Sequence, residues 1–272
     1  MRKIIHLSDL HFGWKKKIDT ALKNIVHNIC FEKEPAADYV IVITGDLVDN
    51  ANDRKQIDLM EFLLILDAAG FDVLMVPGNH DYGSGVSGKK KFVKEFKQLF
   101  FDNIDYEYPK VDIIHDTEAP DNISETIAFI GLDTMAEELG LLDHLWAEGE
   151  LGQAQLDRLD AILFQENIKS CGKRVIYMHH HPFDPYPYHQ LKDSELLELL
   201  LKKHITAGTT IDALLYGHNH RGRSHHGKWG IPRCYDGSSS TGKKKDKHQE
   251  ILQRVIDLKR DPRWDYNGNF HL

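Results

Sequence analysis

The sequence VLMVPGNHD at residues 73–81 joins a short apolar run to a turn and three polar side chains. A short apolar run bounded by Pro and Gly is typical of a buried strand, and Pro77 and Gly78 then turn the chain sharply. Asn79, His80 and Asp81 follow at the end of this strand. Their side chains can bind a metal ion or transfer a proton.

The same plan, an apolar run followed by a turn and then His or Asp, recurs at four other places. These are Asp9-Leu10-His11, Gly45-Asp46, His179-His180-His181 and Gly217-His218-Asn219-His220. In open α/β sheets, functional sites form where loops leave the carboxyl ends of the strands. We therefore expect the five clusters to meet at one edge of a sheet.

Strands alternate with helices along the chain, which predicts an α/β layer fold. Residues 39–44 are β-formers without polar alternation, as in a strand covered on both faces. The predicted strands span residues 4–7, 39–44, 72–76, 126–133, 174–178, 212–216 and 251–258, with a weaker strand or hairpin at 106–115 and a hairpin at 222–235. The predicted helices span residues 20–31, 53–69, 92–101, 152–165 and 194–204. Residues 8–17 and 82–88 are predicted loops, residues 135–151 fit no single element, and the aromatic residues of the tail, 261–272, suggest that it docks.

The composition is that of a globular protein, with 272 residues, 41% hydrophobic and 28% charged. We see no linker or internal repeat, so residues 1–272 are predicted to form a single domain. No apolar run approaches the roughly 18–20 residues that span a bilayer, which argues against a membrane partner. The apolar start is too short for a signal peptide, and the three cysteines have no paired spacing. We therefore expect a cytoplasmic protein.

The formal net charge of −8 argues against general nucleic-acid binding, which requires a basic face. Three lysine runs, at residues 15–17, 89–91 and 243–245, qualify this argument. Such runs are either solvated loops or a basic rim around a pocket for an anionic substrate.

Two-residue spacing is the simplest feature of the polar clusters. Asp9 and His11 point the same way in an extended chain, so both can reach one metal, although this motif alone also occurs by chance. The same spacing lets His218 and His220 serve one site. Asp46 either bridges two cations or only caps a turn.

The polar residues after Gly78 suggest separate roles. Asn79 offers an uncharged oxygen to a metal, and His80 is then the proton donor, with Asp81 available to orient its imidazole. His179 continues its strand most directly and is the predicted ligand, whereas His180 would point to the other side. The predicted ligand set is Asp9, His11, Asp46, Asn79, His179, His218 and His220. This mixture of carboxylate, imidazole and amide oxygen suits Mn, Fe, Zn or Co better than Ca or Mg alone.

These motifs, in this order, resemble those of the calcineurin-like metallophosphoesterase superfamily. The resemblance runs from Asp9 to His220 and implies a four-layer α/β/β/α sandwich with mixed sheets and two metal ions, Mn or Fe being favoured. By match to the motifs, the ligands divide between the two metals as follows: Asp9, His11, Asp46 and His220 on one, and Asp46, Asn79, His179 and His218 on the other. The resemblance also implies that a metal-bridging hydroxide attacks phosphorus and that His80 protonates the leaving oxygen.

Two smaller resemblances bear on the substrate. Class III cyclic nucleotide phosphodiesterases have stretches similar to His179-His180-His181-Pro182 and to residues 149–159 of this chain. Residues 7–13 (LSDLHFG) are instead similar to SbcD-type exonucleases. The leading hypothesis is a phosphodiesterase or phosphatase for small phosphate esters, with cyclic nucleotides among the candidates. The alternatives are a metal-dependent nuclease and a non-catalytic scaffold like the retromer subunit of this superfamily; the scaffold is disfavoured because His80 and every predicted ligand are present. The sequence indicates no oligomeric state.

Overall fold

The structure, a computed structural model, describes residues 1–32, 35–51, 55–83, 90–135, 149–183, 191–242 and 253–268. Within these ranges the chain forms two β-sheets covered by helices. The strands are β1 (Lys3–Leu7), β2 (Tyr39–Thr44), β3 (Asp72–Val76), β4 (Lys110–Ile114), β5 (Ile127–Gly131), β6 (Lys173–Tyr177), β7 (Ala213–Tyr216), β8 (Ser224–His225), β9 (Arg233–Asp236), β10 (Gln253–Ile256) and β11 (Tyr266–Gly268). The helices are α1 (Lys16–Glu32), α2 (Lys55–Ala68), α3 (Lys90–Phe101), α4 (Gln153–Phe164), α5 (Glu166–Lys169) and α6 (Ser194–Thr206).

The first sheet has the strand order β11-β10-β1-β2-β3. Strands β1, β2 and β3 are parallel, and β10 joins β1 in the antiparallel direction, with Ile256 opposite Ile4. Both faces of β2 are covered, because Val42 lies in the core between the sheets and Ile43 lies in the core beneath the helices. This burial explains why the strand shows no polar alternation.

The second sheet has the order β4-β5-β6-β7-β9-β8. Its central strands β5, β6, β7 and β9 are parallel, and the edge strands β4 and β8 are antiparallel to their neighbours. Strands β8 and β9 form the hairpin that the sequence predicts near residues 222–235. Both sheets are therefore mixed.

Three cores separate four layers. Ile43 and Leu63 lie in the core between the first sheet and helices α1 to α3. Val42 and Phe129 lie in the core between the two sheets, and Leu159 lies in the core between the second sheet and helices α4 and α6. The predicted α/β/β/α sandwich with mixed sheets is confirmed. No helix in the described part of the chain is both long and apolar enough to cross a membrane.

The lysine runs lie partly in helices rather than in loops. Helix α1 begins at Lys16, four residues before the predicted start, because Ile18 is buried and extends the apolar face of the helix. Asp19 does not cap this helix, since its carboxylate accepts the backbone N–H of Gly13. Residues 90 and 91 begin α3, whereas residues 89 and 243–245 lie outside the described residues.

The C-terminal tail adds an edge strand to the first sheet. Residues 266–268 form β11, antiparallel to β10, so this part of the tail does dock. The prediction that Trp264 contributes to docking is wrong, because its side chain is 73% exposed. The predicted loop at 82–88 and the ambiguous stretch at 135–151 lie mostly outside the described residues.

Candidate metal centre

The five polar segments of the sequence follow the carboxyl ends of five strands, each of which runs parallel to a neighbouring strand. Asp9 and His11 follow β1, Asp46 follows β2, Asn79 and His80 follow β3, His179 follows β6, and His218 and His220 follow β7. The first three strands belong to one sheet and the last two to the other. The side chains meet where the two sheets end side by side, as the strand-end argument predicts.

One group of ligand atoms forms around His11 and His220. Their Nε2 atoms are 3.1 Å apart, and the Nε2 of His220 is 2.9 Å from Oδ1 of Asp9. Oδ2 of Asp46 is 3.7 Å from Nε2 of His11. We call Asp9, His11, Asp46 and His220 the first cluster.

A second group forms around Asn79. Its Oδ1 is 3.1 Å from Nε2 of His179 and 3.2 Å from Nδ1 of His218, and these two nitrogens are 3.3 Å apart. Oδ1 of Asp46 is 3.5 Å from Nε2 of His179. We call Asp46, Asn79, His179 and His218 the second cluster. Asp46 therefore faces one cluster with each of its oxygens.

The charges of the two clusters fit metal cations. Asp9 and Asp46 are both buried. Burial raises the pKa of a carboxyl, but His220 outweighs this effect at Asp9, and His179, His80 and His11 outweigh it at Asp46, so both pKa values lie well below their ordinary value. Two buried, ionised carboxylates beside four imidazoles and an amide oxygen form a donor set suited to transition metals.

Hydrogen bonds on the far side of two predicted ligands, His179 and Asp9, hold them in place. Nδ1 of His179 donates to the carbonyl of Thr44 at 2.8 Å, which leaves Nε2 facing Asn79 and Asp46. Oδ2 of Asp9 accepts from the Ser8 hydroxyl at 2.6 Å, so Oδ1 faces the first cluster. Such partners orient metal ligands and fix the imidazole tautomer.

The backbone at the site is in an unusual conformation. Five of the predicted ligands have positive φ: Asp9 at 50°, His11 at 46°, Asp46 at 51°, His218 at 73° and His220 at 55°. Positive φ is uncommon outside glycine and costs roughly 1–3 kcal/mol per residue. The assumption of an extended chain at Asp9-x-His11 and His218-x-His220 is therefore wrong. His218 and His220 point to different clusters, although they are two residues apart.

Gly78 allows the loop after β3 to approach Asp46. A Cβ atom at position 78 would lie 2.3 Å from Oδ1 and 2.4 Å from the backbone nitrogen of Asp46. Both distances are shorter than any tolerated contact, so a side chain must displace one of the two loops.

We expect Gly78→Ala to destabilise the protein by about 1–3 kcal/mol, as overpacking does, and to lower kcat/KM because Asp46 moves. Urea unfolding and turnover measure the two effects. Gly208→Ala is the matched control, since its Cβ would meet nothing within 4 Å although its φ is +97°. This control should lose about 1 kcal/mol from the positive φ and keep full activity. Equal activity in both variants would contradict the role given to Gly78.

His80 lies at the edge of the two clusters and is partly exposed. Its Nδ1 donates to the backbone carbonyl of Asp49 at 2.6 Å, and its Nε2 lies 3.9 Å from Oδ2 of Asp46. The ring meets that of His11 edge to face, with centroids 4.8 Å apart. Nε2 is thus the nitrogen that faces the site, as a proton donor to a bound ester requires.

The prediction that Asp81 orients His80 is wrong. The carboxylate of Asp81 accepts backbone N–H groups from Leu47 at 3.2 Å, Val48 at 3.1 Å and Gly78 at 2.8 Å. Burial and the nearby charge of Asp46 raise the pKa of Asp81 to about 7. Asp81 therefore joins the loops after β2 and β3, and the Asp49 carbonyl holds His80 instead.

Asp49 is a site residue that the sequence does not reveal. Besides the contact of its carbonyl with His80, its Oδ1 lies 3.5 Å from Nδ1 of His11, on the side away from the first cluster. The residue stands three positions after Asp46, but no motif marks it. Only its position in the folded loop indicates that it orients two histidines.

His180 also lies at the second cluster, contrary to the prediction that it points away. Its ring centroid is 4.4 Å from that of His218, and its Nδ1 is 2.7 Å from the hydroxyl oxygen of Thr134. The chain leaves strand geometry after Tyr177, so alternation no longer applies. His181 packs against Tyr216 instead, with ring centroids 4.5 Å apart.

Residues 237–241 form a polar loop that packs against the Asp9-Leu10-His11 segment. The Ser239 hydroxyl donates to the Asp9 carbonyl at 3.0 Å, and the Thr241 hydroxyl donates to the Leu10 carbonyl at 2.8 Å. These bonds satisfy carbonyls that the left-handed turns expose. Short polar residues after a strand were the only signal in the sequence, and they did not indicate this role.

Comparison with known proteins assigns this chain to a protein family. The chain matches the sequence model of the calcineurin-like phosphoesterases over residues 2–222. A two-sheet fold that gathers histidine and aspartate at the strand ends agrees with that match. The chain belongs to the calcineurin-like phosphoesterase family. No curated protein sequence is significantly similar to it.

Solved structures with a similar fold have low sequence identity to this chain. A dimetal phosphatase from Danio rerio is 14% identical, with a TM-score of 0.60, covering 94% of this chain and 92% of that one. Phosphopantetheinyl hydrolase from Mycobacterium tuberculosis is 12% identical, with a TM-score of 0.58, covering 97% and 98%. A purple acid phosphatase from yellow lupin (Lupinus luteus) seeds is 12% identical, with a TM-score of 0.51, covering 80% of this chain and 38% of that one.

Proposed function

We propose that this chain is a hydrolase of small phosphate esters that depends on two metal ions, with Mn or Fe favoured. The observation that carries the proposal is the position of Asp46, whose two oxygens face two separate clusters of ligand atoms. One carboxylate between two cations is the arrangement of two-metal hydrolases. The two clusters correspond to the two ligand sets that the family resemblance implies.

The residues divide the work between holding metals and moving a proton. One metal would be held by Asp9, His11, Asp46 and His220. The second metal would be held by Asp46, Asn79, His179 and His218. When bound, the metals would supply an activated water and positive charge for the phosphoryl oxygens. His80 would donate the proton of Nε2 to the departing alcohol oxygen, while the Asp49 carbonyl holds the imidazole by Nδ1.

The alternative functions fit the structure less well. The family match leaves a nuclease as an alternative, but the net charge of −8 argues against general nucleic-acid binding. A scaffold has no need of a partly exposed histidine beside two buried metal-binding clusters. We also propose a cytoplasmic location, supported by three unpaired cysteines.

Removal of the metals should abolish activity and lower stability. We expect protein treated with a chelator to lose phosphate-ester turnover and to melt several degrees lower, because metal at a hundredfold excess over Kd contributes about 2.7 kcal/mol. Adding Mn should restore both properties.

A panel of monoesters, diesters, cyclic nucleotides and single-stranded DNA identifies the reaction class. Well-folded protein that hydrolyses none of these with any transition metal would refute the proposal.

A further inference from the structure

His180 is a buried histidine at the second cluster, and the proposed function assigns it no role. Its ring centroid lies 5.0 Å from that of His179 and 4.4 Å from that of His218. The side chains of His179 and His180 are fully buried, and His218 is half-buried. Three imidazoles therefore meet at this cluster, although the family resemblance implies only two.

The nitrogens of these rings are close enough to share one ion. One nitrogen from each of His179, His180 and His218 lies within 4.8 Å of the other two. Imidazole nitrogens bind zinc at about 2.0–2.1 Å, so two of them on the same ion lie at most about 4.2 Å apart. A small inward movement of the rings is thus enough to bring all three onto one ion.

Two contacts hold the imidazole of His180 at the cluster. Its Nδ1 is 2.7 Å from the hydroxyl oxygen of Thr134, which also accepts the backbone N–H of His180 at 3.4 Å. At Gly149 the chain passes so close to the ring that a Cβ atom there would lie 2.4 Å from both Cγ and Nδ1 of His180. Contacts of this kind orient the histidines of metal sites. The position of the ring is therefore fixed by residues distant in sequence.

The presence of His180 makes the two clusters chemically unequal. The first cluster offers two carboxylates and two imidazoles. With His180, the second cluster offers one carboxylate, one amide oxygen and three imidazoles. Imidazole suits Fe, Co and Zn, whereas oxygen ligands suit Mn, and affinity for nitrogen sites rises from Mn through Fe to Co. Each added imidazole therefore increases discrimination against Mn.

We propose that His180 is a third imidazole ligand in the second cluster and makes this site discriminate against Mn, in favour of Fe, Co or Zn, more strongly than the first cluster does. The proposal rests on the two-metal hydrolase function proposed above. It adds one ligand to the set of Asp46, Asn79, His179 and His218, and it gives the two sites different metal preferences.

Replacing His180 by phenylalanine tests this role, because phenylalanine keeps a ring beside His218 and Gly149 but has no nitrogen. His181→Phe is the matched control, since His181 is also buried and packs against Tyr216. The wild type and both variants are stripped of metal with a chelator and titrated by calorimetry with Co alone and with Mn alone. Circular dichroism checks that each variant is folded.

For the wild type and His181→Phe, we expect two Co sites, one of which prefers Co to Mn by a larger factor than the other. In His180→Phe, the Kd of that site for Co should rise by about 100-fold or more, beyond the 10–100-fold typical of losing an outer partner of a ligand. The Kd for Mn should rise less, so the preference falls, while the other site stays unchanged. A preference for Co over Mn equal to that of the wild type overturns the proposal.

The visible spectrum of bound Co separates a ligand from a residue that only positions His218. Loss of a ligand exchanges nitrogen for water at the ion and shifts the d–d bands, whereas loss of a positioning contact leaves the ligands the same. We expect shifted bands in His180→Phe and wild-type bands in His181→Phe, each with two equivalents of Co. Wild-type bands in His180→Phe overturn the proposal even if its affinity for Co has fallen.

A measurement on the wild type covers the case in which His180→Phe does not fold. With Zn bound, the imidazole nitrogens that contact the ion are identified by their ¹⁵N chemical shifts. We expect five ligated imidazoles, the two of the first cluster and the three of the second, and a count of four overturns the proposal. Neither spectroscopy nor calorimetry requires turnover. Five ligated imidazoles in a protein that cleaves no ester would therefore refute the hydrolase function and keep the role of His180.

Discussion

Replacing His80 by alanine should lower kcat by about 10²–10⁴-fold and leave both metal ions bound. The imidazole is partly exposed and lies at the edge of the clusters, and its contacts are with the Asp49 carbonyl, the His11 ring and Asp46. None of the close ligand pairs within either cluster involves His80. Metal analysis and steady-state kinetics on the same preparation measure the two effects.

The leaving group distinguishes a proton donor from a residue that only positions the substrate. Nitrophenolate leaves without help from an acid, whereas an alkoxide does not, so His80→Ala should be much less damaging for p-nitrophenyl esters than for alkyl esters. His27→Ala, an exposed histidine on α1, serves as the control and should behave as wild type. Equal losses for both leaving groups, or loss of the metals, would show that His80 has a different role.

Replacing Asp46 by asparagine should lower the activity by roughly 10³-fold or more and reduce the bound metal below two ions per chain. Each oxygen of Asp46 faces one cluster, so the loss of its charge affects both. Several kcal/mol of charge stabilisation disappears with the metals, and each 1.4 kcal/mol is about tenfold in rate. Elemental analysis counts the metals, and circular dichroism checks that the variant is folded.

Asp49→Asn is the matched comparison for Asp46→Asn. Its carboxylate contacts Nδ1 of His11 from outside the first cluster, and its carbonyl, which holds His80, remains. Loss of an outer partner of a ligand typically costs 10–100-fold. We therefore expect a smaller defect with both metals still present. An Asp46→Asn variant that retained two metals would contradict the bridging role.

The elements of this fold could be predicted because their signals are local. Residues 39–44 and 72–76 form strands over the predicted ranges, since uninterrupted apolar runs of this length are typical of strands that are covered on both faces. The start of α1 was predicted too late because Lys16 and Lys17 have no apolar periodicity, although tertiary packing of Ile18 includes them in the helix. Interactions distant in sequence decided that boundary.

The residues of the two clusters were predicted as a set, but several of the contacts within them were not. Placing His and Asp after five strands needs only strand periodicity and the rule for strand ends. The role of Asp81 was predicted wrongly because proximity in sequence suggested a contact with His80, whereas its carboxylate is turned to the N–H groups of Leu47 and Val48. Asp49 was missed because its role depends on a carbonyl, which every residue possesses.

The sequence by itself determined the strand and helix order, the chemistry of the ligand set and the family to which the chain is similar. These depend on residue types and spacing, which are local properties. Tertiary structure alone decided that β10 lies beside β1, that the Asp49 carbonyl holds His80, and that residues 237–241 pack against Asp9. The physical reason is that left-handed backbone at five ligands is unfavourable for an isolated chain and forms only where packing and hydrogen bonds from distant segments hold it.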